Sequence, residues 1–232
     1  WQPAETPRRL RESIGYFNLY ARDFFGLDIH PLSRLPQVAR DLKAHGIEDF
    51  CIWDAIMAIY LRPDTGDFLE DAPARLAEFS RVLKEIRALG IQVSTLVNYR
   101  LTTRKNRSWK ERGEKQAMRS MHGVPLYEHW SKCRGNFGDF ITAHLDEGGS
   151  CLCQADPEFQ RWALDLTERV LDFGFSSVFI DQAFETSVCF AKDHGHPLPG
   201  QGHEGANAWA AKAVAAIRKR DPEAYAIGEN AD

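Results

Sequence analysis

Two carboxylates occupy corresponding places in the sequence, each directly after a short apolar run. Asp181 follows Val178-Phe179-Ile180, and Glu229 follows Ala226-Ile227-Gly228. A carboxylate at the end of a buried strand is costly unless it is paired, hydrogen-bonded or used in chemistry. Neighbouring parallel strands lie about 4.8 Å apart, so two such carboxylates at one end of a sheet would face each other. Glycosidases separate theirs by about 5–5.5 Å when they retain configuration and about 6.5–9.5 Å when they invert it. A structural role for Asp181, capping a loop or pairing with a buried base, is the alternative.

Further polar and aromatic side chains near the predicted strand ends are candidates for contacts with a sugar. Sugar rings present apolar C–H faces that pack on aromatic side chains, and their hydroxyls need polar partners. The residues predicted to bind substrate are Tyr16, Asn18, Trp53, Asp54, Asn98, Tyr99, Arg100, Gln182, His194 and His196.

The loop after Asp181 is rich in histidine, glycine and proline. His194, His196 and His203, with Cys189, have the short spacings that metal ligands favour. The glycines and prolines of the same loop also suit a rigid wall over a pocket, so sugar contacts and structural hydrogen bonds are alternatives. The favoured prediction assigns this loop to sugar contacts and expects neither a metal nor another cofactor.

A second candidate zinc site consists of cysteines alone. Cys151 and Cys153 stand two residues apart, and Cys133 precedes them. Side chains two residues apart point to the same face of a strand only where the strand is regular. We expect the two sulfurs of this short motif to diverge, which makes the candidate weak.

The elements that must position these residues alternate along the chain between apolar strands and amphipathic helices. The predicted strands are 14–20, 49–54, 91–98, 177–181 and 224–229, and the predicted helices are 35–45, 73–89, 157–173 and 206–220. This alternation predicts a parallel sheet with right-handed crossovers. A TIM (β/α)₈-type barrel is favoured over an open sheet, because polar residues end every strand and no glycine-rich phosphate motif follows the first one.

The domain organisation predicted is a single barrel domain over residues 1–232, with residues 100–154 inserted as a lid or subdomain after the third strand. That segment is much longer than an ordinary connection. A complete barrel takes about 250 residues, whereas five predicted strands occupy all 232. We therefore expect a fragment of a longer barrel, with an open sheet as the alternative. The chain begins with Trp1 rather than Met, so its native N-terminus is expected to be missing.

Composition excludes several classes of protein. Hydrophobic residues make up 44% and charged residues 27%, a globular balance that excludes a disordered chain. A net charge of −4 does not indicate a nucleic-acid surface, and no apolar stretch reaches the 18 residues of a membrane span. Five cysteines, an odd number, and no signal peptide favour free thiols and a cytoplasmic location.

Three strand-end motifs resemble those of the alpha-amylase superfamily. They are Val97-Asn98-Tyr99, Phe179-Ile180-Asp181 and Ile227-Gly228-Glu229. The resemblance implies a barrel with Asp181 as nucleophile and Glu229 as acid/base. The sequence departs from the superfamily pattern at Phe179, where amylases have Arg, and at Tyr99, where they have His.

A closer resemblance, over roughly residues 12–232, is to uncharacterised bacterial barrel proteins regarded as glycoside hydrolases. It rests on Ile180-Asp181-Gln182, Cys189, His194-Gly195-His196-Pro197 and Gly228-Glu229. The function that the resemblance implies is retaining hydrolysis of an oligo- or polysaccharide, with a carbohydrate as the partner. A metal-dependent barrel hydrolase that uses the histidine loop and a non-catalytic carbohydrate-binding barrel are the alternatives.

Overall fold

The computed structural model describes residues 6–21, 28–53, 72–102, 107–128, 149–182 and 186–228. Of the residues singled out from the sequence, Asp54, Cys133 and Glu229 lie outside these ranges. The predictions made for them therefore stay predictions.

Ten strands lie in the described part of the chain, most of them short. In chain order they are β1 (Phe17–Tyr20), β2 (Asp49–Trp53), β3 (Gln92–Val97), β4 (Leu101–Thr102), β5 (Tyr127–Glu128), β6 (Gly149–Cys151), β7 (Ser177–Ile180), β8 (Val188–Cys189), β9 (Gly200–Gln201) and β10 (Ile227–Gly228).

The main sheet has five strands in the order β1-β2-β3-β7-β10, and every neighbouring pair is parallel. The predicted parallel sheet with sequential strand order is therefore confirmed. Its C-terminal strand ends all lie at one edge, where the candidate site residues were expected. The β1 strand begins at Phe17 and β10 at Ile227, later than the sequence predicted.

Helices alternate with the strands of the main sheet. They are α1 (Arg8–Glu12), α2 (Leu35–Ala44), α3 (Pro73–Ala88), α4 (Glu114–Gln116), α5 (Pro157–Phe173) and α6 (Gly202–Arg220), with a 3₁₀ turn at Leu32–Arg34 and a π-helical turn at Trp109–Gly113. Asp156 caps α5, because its carboxylate accepts a hydrogen bond from the Glu158 N–H at 2.9 Å. None of the helices described is both long and apolar enough to cross a membrane.

The last helix, α6, begins at Gly202, four residues before the predicted start at Ala206. The predicted helix leaves the two glycines of this first turn in the preceding loop. Instead they permit close packing, since a Cβ at Gly202 would lie 2.5 Å from the Ser187 carbonyl oxygen and one at Gly205 would lie 2.1 Å from that of Gln154. These glycines allow two segments to pack closely, and they do not mark the end of a helix.

Helices α5 and α6 pack on one face of the main sheet and leave the other face for the candidate site. The ring of Tyr99, directly after β3, lies between Trp162 of α5 and Trp209 of α6, at 5.9 and 5.0 Å between ring centroids. Side chains alternate between the faces of a strand. Asn98 and Asp181, which hydrogen-bond to each other, therefore lie on the opposite, inner face.

The N-terminal end of the inner face is polar and ties β10 to the sheet. Gln92 bonds the backbone of Tyr225 twice, donating to its carbonyl at 3.3 Å and accepting from its N–H at 3.2 Å. Ser177 also donates to the Tyr225 carbonyl, and Asp49 accepts from Ser13 at 3.2 Å. These bonds fix the segment that leads into β10.

A second sheet is built from the segment between β3 and α5. Its strands β4, β6 and β5 are antiparallel, in that order, and β8 and β9 form a separate antiparallel pair. A small buried cluster lies beside this sheet, apart from the main core. Its members are Leu101, Met118, Cys151, Cys153, Cys189 and Ala191. The segment after β3 and the segment after β7 thus share one apolar cluster.

Candidate functional site

The centre of the candidate site is the side chain of Asn98, at the C-terminal end of β3. Its amide nitrogen donates to Asp181 Oδ2 at 2.9 Å and to Gln182 Oε1 at 3.0 Å. Its oxygen accepts from the backbone N–H groups of Arg100 and Leu101, both at 3.0 Å. A primary amide has two donor hydrogens and an oxygen with two lone pairs. Asn98 uses all four, so its orientation is fixed and it joins the ends of β3 and β7.

Gln182 turns the chain sharply after Asp181. Its φ is +50°, a left-handed conformation that residues with a Cβ seldom adopt. Its side-chain oxygen accepts from Asn98 and from Arg100 Nη1, the latter at 3.3 Å, and the residue is buried. The hydrogen bonds offset the cost of that backbone conformation, and such strain is common at functional sites.

Asp181 itself is half-buried on the inner face of the sheet. Its backbone N–H donates to the Val97 carbonyl at 2.9 Å, which extends the pairing of β3 with β7 as far as this residue. Its carboxylate is thus placed by one backbone and one side-chain hydrogen bond from the neighbouring strand. A carboxylate held in one orientation at a strand end can act as a nucleophile, as a base or as an acceptor for a bound hydroxyl.

An aromatic cluster lies on the inner face beside Asp181. Phe179, two residues before Asp181, contacts the ring of Trp53 at 5.6 Å and that of Tyr16 at 6.4 Å. Trp53 also contacts Tyr20 at 5.0 Å, while Tyr16 and Tyr20 stay 46% and 40% exposed. Sequence reasoning had selected Trp53 and Tyr16 but not Phe179 or Tyr20. The alternation of strand side chains was the signal that would have found them.

The remaining substrate-binding candidates differ in position. Asn18 is exposed on β1 opposite Cys51, and Arg100 is half-buried beside Gln182. His196 is half-buried in the loop between β8 and β9. The structure thus brings Asn98, Arg100, Asp181 and Gln182 together and Trp53 together with Tyr16.

Two predictions of a sugar contact are corrected by the structure. Tyr99 is 1% exposed, packs among helix side chains and shares a hydrogen bond of 2.8 Å with Thr167. Burial raises the pKa of its hydroxyl, which stays protonated. His194 is 7% exposed, and its two ring nitrogens face Cys189 Sγ at 3.5 Å and the Lys115 carbonyl oxygen at 2.7 Å. Neither side chain has a free polar atom to offer a sugar.

Cysteine and histidine side chains form a second cluster beside the loop. The ligand atoms of Cys153, Cys189, His194 and His196 all lie within 4.8 Å of one another. The hydrogen bond with Cys153 lowers the pKa of Cys189, while the same bond and burial raise the pKa of Cys153. The sequence had suggested two separate metal candidates, and the structure takes residues from both. Among the residues that the structure describes, His203 and Cys151 are not part of this cluster.

The sequence of residues 62–230 matches the family described as "Domain of unknown function (DUF6259)". The match covers well over half of the 232 residues. The chain belongs to the DUF6259 family. Asn98, Asp181 and the four clustered cysteine and histidine residues all lie inside the matched segment of this DUF6259 domain. No curated protein matches its sequence.

Solved structures of glycoside hydrolases share the fold of the DUF6259 domain at low sequence identity. TtGalA, an alpha-galactosidase from Thermus thermophilus, superposes with a TM-score of 0.57 at 20% identity, over 97% of this chain and 38% of that one. The trehalose-6-phosphate hydrolase of Bacillus licheniformis superposes with a TM-score of 0.64 at 12% identity, over 95% of this chain and 44% of that one. An alpha-amylase from Lactobacillus plantarum superposes with a TM-score of 0.61 at 15% identity, over 95% of this chain and 46% of that one.

These likenesses establish the fold class of the DUF6259 domain and nothing finer. The three similar proteins are barrel glycosidases, and this chain shares with them a parallel sheet flanked by helices. The chain spans less than half the length of each of them.

Proposed function

We propose that this domain supplies the nucleophile-bearing part of an α-glycoside hydrolase that retains anomeric configuration. The observation behind the proposal is the placement of Asp181, which stands at the end of β7 and is oriented by Asn98 from the end of β3 at 2.9 Å. The fold shared with an alpha-galactosidase and an alpha-amylase supports α-linked sugars as the substrate class.

The proposed reaction has two displacements. The carboxylate of Asp181 attacks the anomeric carbon while Glu229 donates a proton to the leaving oxygen, so the glycosidic bond breaks and a glycosyl ester of Asp181 forms. Glu229, now ionised, then takes a proton from water, which attacks the same carbon and releases Asp181. Retention results from the two inversions.

Support for Glu229 comes from the register of the residue before it. Gly228 pairs with Ile180, the residue before Asp181. We propose that the two carboxyl groups face each other nearer 5.5 than 9 Å, as retaining glycosidases require. We also propose that the strands needed to close a (β/α)₈ barrel lie outside the residues that the structure describes.

The substrate would lie against the aromatic cluster formed by Tyr16, Tyr20, Trp53 and Phe179. Two of these rings are partly exposed, and the Trp53 indole nitrogen is buried without a hydrogen-bond partner among the described residues. We further propose that residues 100–154 cover this face as a lid, because β4 begins three residues after Asn98.

The test measures release of p-nitrophenol from p-nitrophenyl α-glycosides, starting with the α-galactoside, by the full-length protein and its Asp181→Asn variant. We expect the variant to lose at least about 10³-fold in kcat/KM, as nucleophile loss does in other enzymes. The control is Asp165→Asn, the same chemical change at an exposed position on α5, which should leave the rate unchanged.

A second measurement separates a nucleophile from a carboxylate that only binds. In an Asp181→Ala variant, azide should restore turnover of an activated α-glycoside and give the β-glycosyl azide, because azide then makes the single displacement. Wild-type rates in Asp181→Asn would overturn the mechanism. Sugar binding without turnover in the wild-type full-length protein would instead establish the carbohydrate-binding barrel.

A further inference from the structure

Four side chains from two distant segments form a compact set of sulfur and nitrogen donors beside the main sheet. Cys153 precedes α5, while Cys189, His194 and His196 follow β7. Their ligand atoms lie within 4.8 Å of one another, and Cys189 Sγ is 3.5 Å from His194 Nδ1. Donors around tetrahedral zinc lie about 3.3–3.8 Å apart, given bonds of about 2.0–2.3 Å. We propose that these four residues bind one structural Zn²⁺ ion.

The hydrogen bonds of the two imidazoles support this assignment. A metal-binding histidine usually donates its other ring N–H to a carbonyl or carboxylate, which fixes the ring. His194 donates from Nε2 to the Lys115 carbonyl at 2.7 Å, which leaves Nδ1 facing Cys189. His196 donates from Nδ1 to the Pro197 carbonyl at 2.8 Å. Its Nε2 is buried and has no hydrogen-bond partner among the described residues.

Both sulfurs also accept hydrogen bonds from backbone N–H groups, as thiolate ligands of a metal do. The backbone N–H of Ala191 donates to Cys189 Sγ at 3.5 Å, and the backbone of Arg119 donates to the same sulfur. Cys153 accepts from the backbone of Ala155 and Asp156. Backbone N–H groups that point at a sulfur stabilise its negative charge. Two thiolates and two neutral imidazoles would balance the charge of a divalent ion.

The packing around His196 leaves room for its ring only because a neighbouring residue is glycine. A Cβ on Gly200 would lie 2.4–2.6 Å from three atoms of the His196 imidazole. Gly200 pairs with Cys189 in the β8–β9 hairpin. The hairpin therefore places Cys189 and His196 side by side, as a shared ion requires.

The donor set favours zinc and a structural role. Sulfur and imidazole ligands in a tetrahedral set are typical of Zn²⁺, and four protein ligands leave no open position for water or substrate. The site therefore differs from the one that a metal-dependent hydrolase would need. Its effect would be to join the segment after β3 to the segment after β7, both of which start at the Asn98–Asp181 pair.

The first test measures zinc in the purified full-length protein by inductively coupled plasma mass spectrometry. We expect about one zinc per chain in the wild type and at least a tenfold loss in Cys189→Ser and His196→Gln. The matched controls are Cys151→Ala and His203→Gln, a buried cysteine and an exposed histidine of the same region outside the donor set. Both should keep their zinc.

The second test needs no variant, so it decides the matter even if Cys189→Ser fails to fold. Protein stripped with a chelator and loaded with Co²⁺ should show the intense visible bands of a tetrahedral thiolate complex. Stripping alone should lower Tm by at least about 5 °C, and adding Zn²⁺ to the stripped protein should restore the original Tm. Wild-type protein that takes up neither metal, equal losses in the controls, or a Cys153–Cys189 disulfide found by mass spectrometry would overturn the proposal. None of these outcomes depends on glycosidase activity.

Discussion

Asn98 joins two adjacent strands at their C-terminal ends by donating to Asp181 at 2.9 Å, and it has no unused hydrogen-bonding atom. Replacing it by alanine removes four hydrogen bonds and leaves buried donors and acceptors unpaired. We expect a loss of about 1–3 kcal/mol in the free energy of unfolding. We also expect kcat to fall about 10²-fold, because Asp181 would lose its orientation.

Urea unfolding and steady-state kinetics check this prediction for Asn98→Ala. The exposed Asn207 on α6 provides the control for the same substitution. A variant that is destabilised but keeps its kcat would show that Asn98 has a structural role only.

Tyr99 should behave as a core residue. Thr167 Oγ1 donates to the Ala163 carbonyl at 2.8 Å, so the Tyr99 hydroxyl is the donor to Thr167. Tyr99→Phe removes this one hydrogen bond and should cost about 1 kcal/mol of stability, with kcat/KM unchanged. Thermal unfolding and kinetics test it, and more than a tenfold fall in kcat/KM at unchanged Tm would restore the sugar contact predicted from the sequence.

Asp49 should destabilise the protein at neutral pH. Burial raises its pKa in the folded state, against hydrogen bonds from Tyr225 and Ser13 that lower it. An acid whose folded pKa is raised costs no stability below its unfolded pKa of about 3.9 and reduces stability as the pH rises past it. Asp49→Asn should therefore unfold at higher urea than wild type at pH 7.5, with the difference shrinking towards pH 4.

The neighbouring Glu48 supplies a control of opposite sign. A hydrogen bond from Lys43 lowers its pKa, so its contribution is present above the unfolded pKa and is lost as the pH falls. Glu48→Gln should weaken the protein slightly at pH 7.5, and this loss should shrink only as the pH falls below the ordinary glutamate pKa of about 4.3. Equal pH dependence in the two variants would contradict the role assigned to burial.

Gly205 should not tolerate a side chain. A Cβ there would lie 2.1 Å from the Gln154 carbonyl oxygen, which belongs to the backbone and cannot rotate away. Gly205→Ala should cost about 2 kcal/mol or more despite the better helix propensity of alanine. Asn207→Ala on the same helix is the reference, and a Gly205→Ala protein as stable as wild type would show that α6 can shift away from Gln154.

The sheet could be predicted because local signals agree with the final structure. Apolar runs mark β2, β3 and β7, glycines end the preceding helices, and proline with an acidic cap opens α5. The start of α6 was missed because Gly202 and Gly205 serve contacts between segments, which no local signal reveals.

The site was only partly predictable for the same reason. Asn98 and Asp181 were found from their positions after strands, whereas Tyr99 was misjudged because the first residue past a strand can face either side. The Cys153–Cys189 proximity depends on how two long segments fold against each other. Sequence spacing grouped His203 with Cys189 and Cys151 with Cys153, whereas tertiary packing brings Cys153 together with Cys189, His194 and His196.

The pairing of β3 with β7 also bears on how the protein is made. Asn98 and Asp181 are 83 residues apart in the sequence. At a synthesis rate of roughly 5–20 residues per second, the ribosome needs about 4–17 seconds between them. During that interval β1, β2 and β3 are complete while the open edge of β3 awaits its neighbour. The nascent chain therefore has a defined period in which chaperone binding or mispairing at this edge competes with correct assembly.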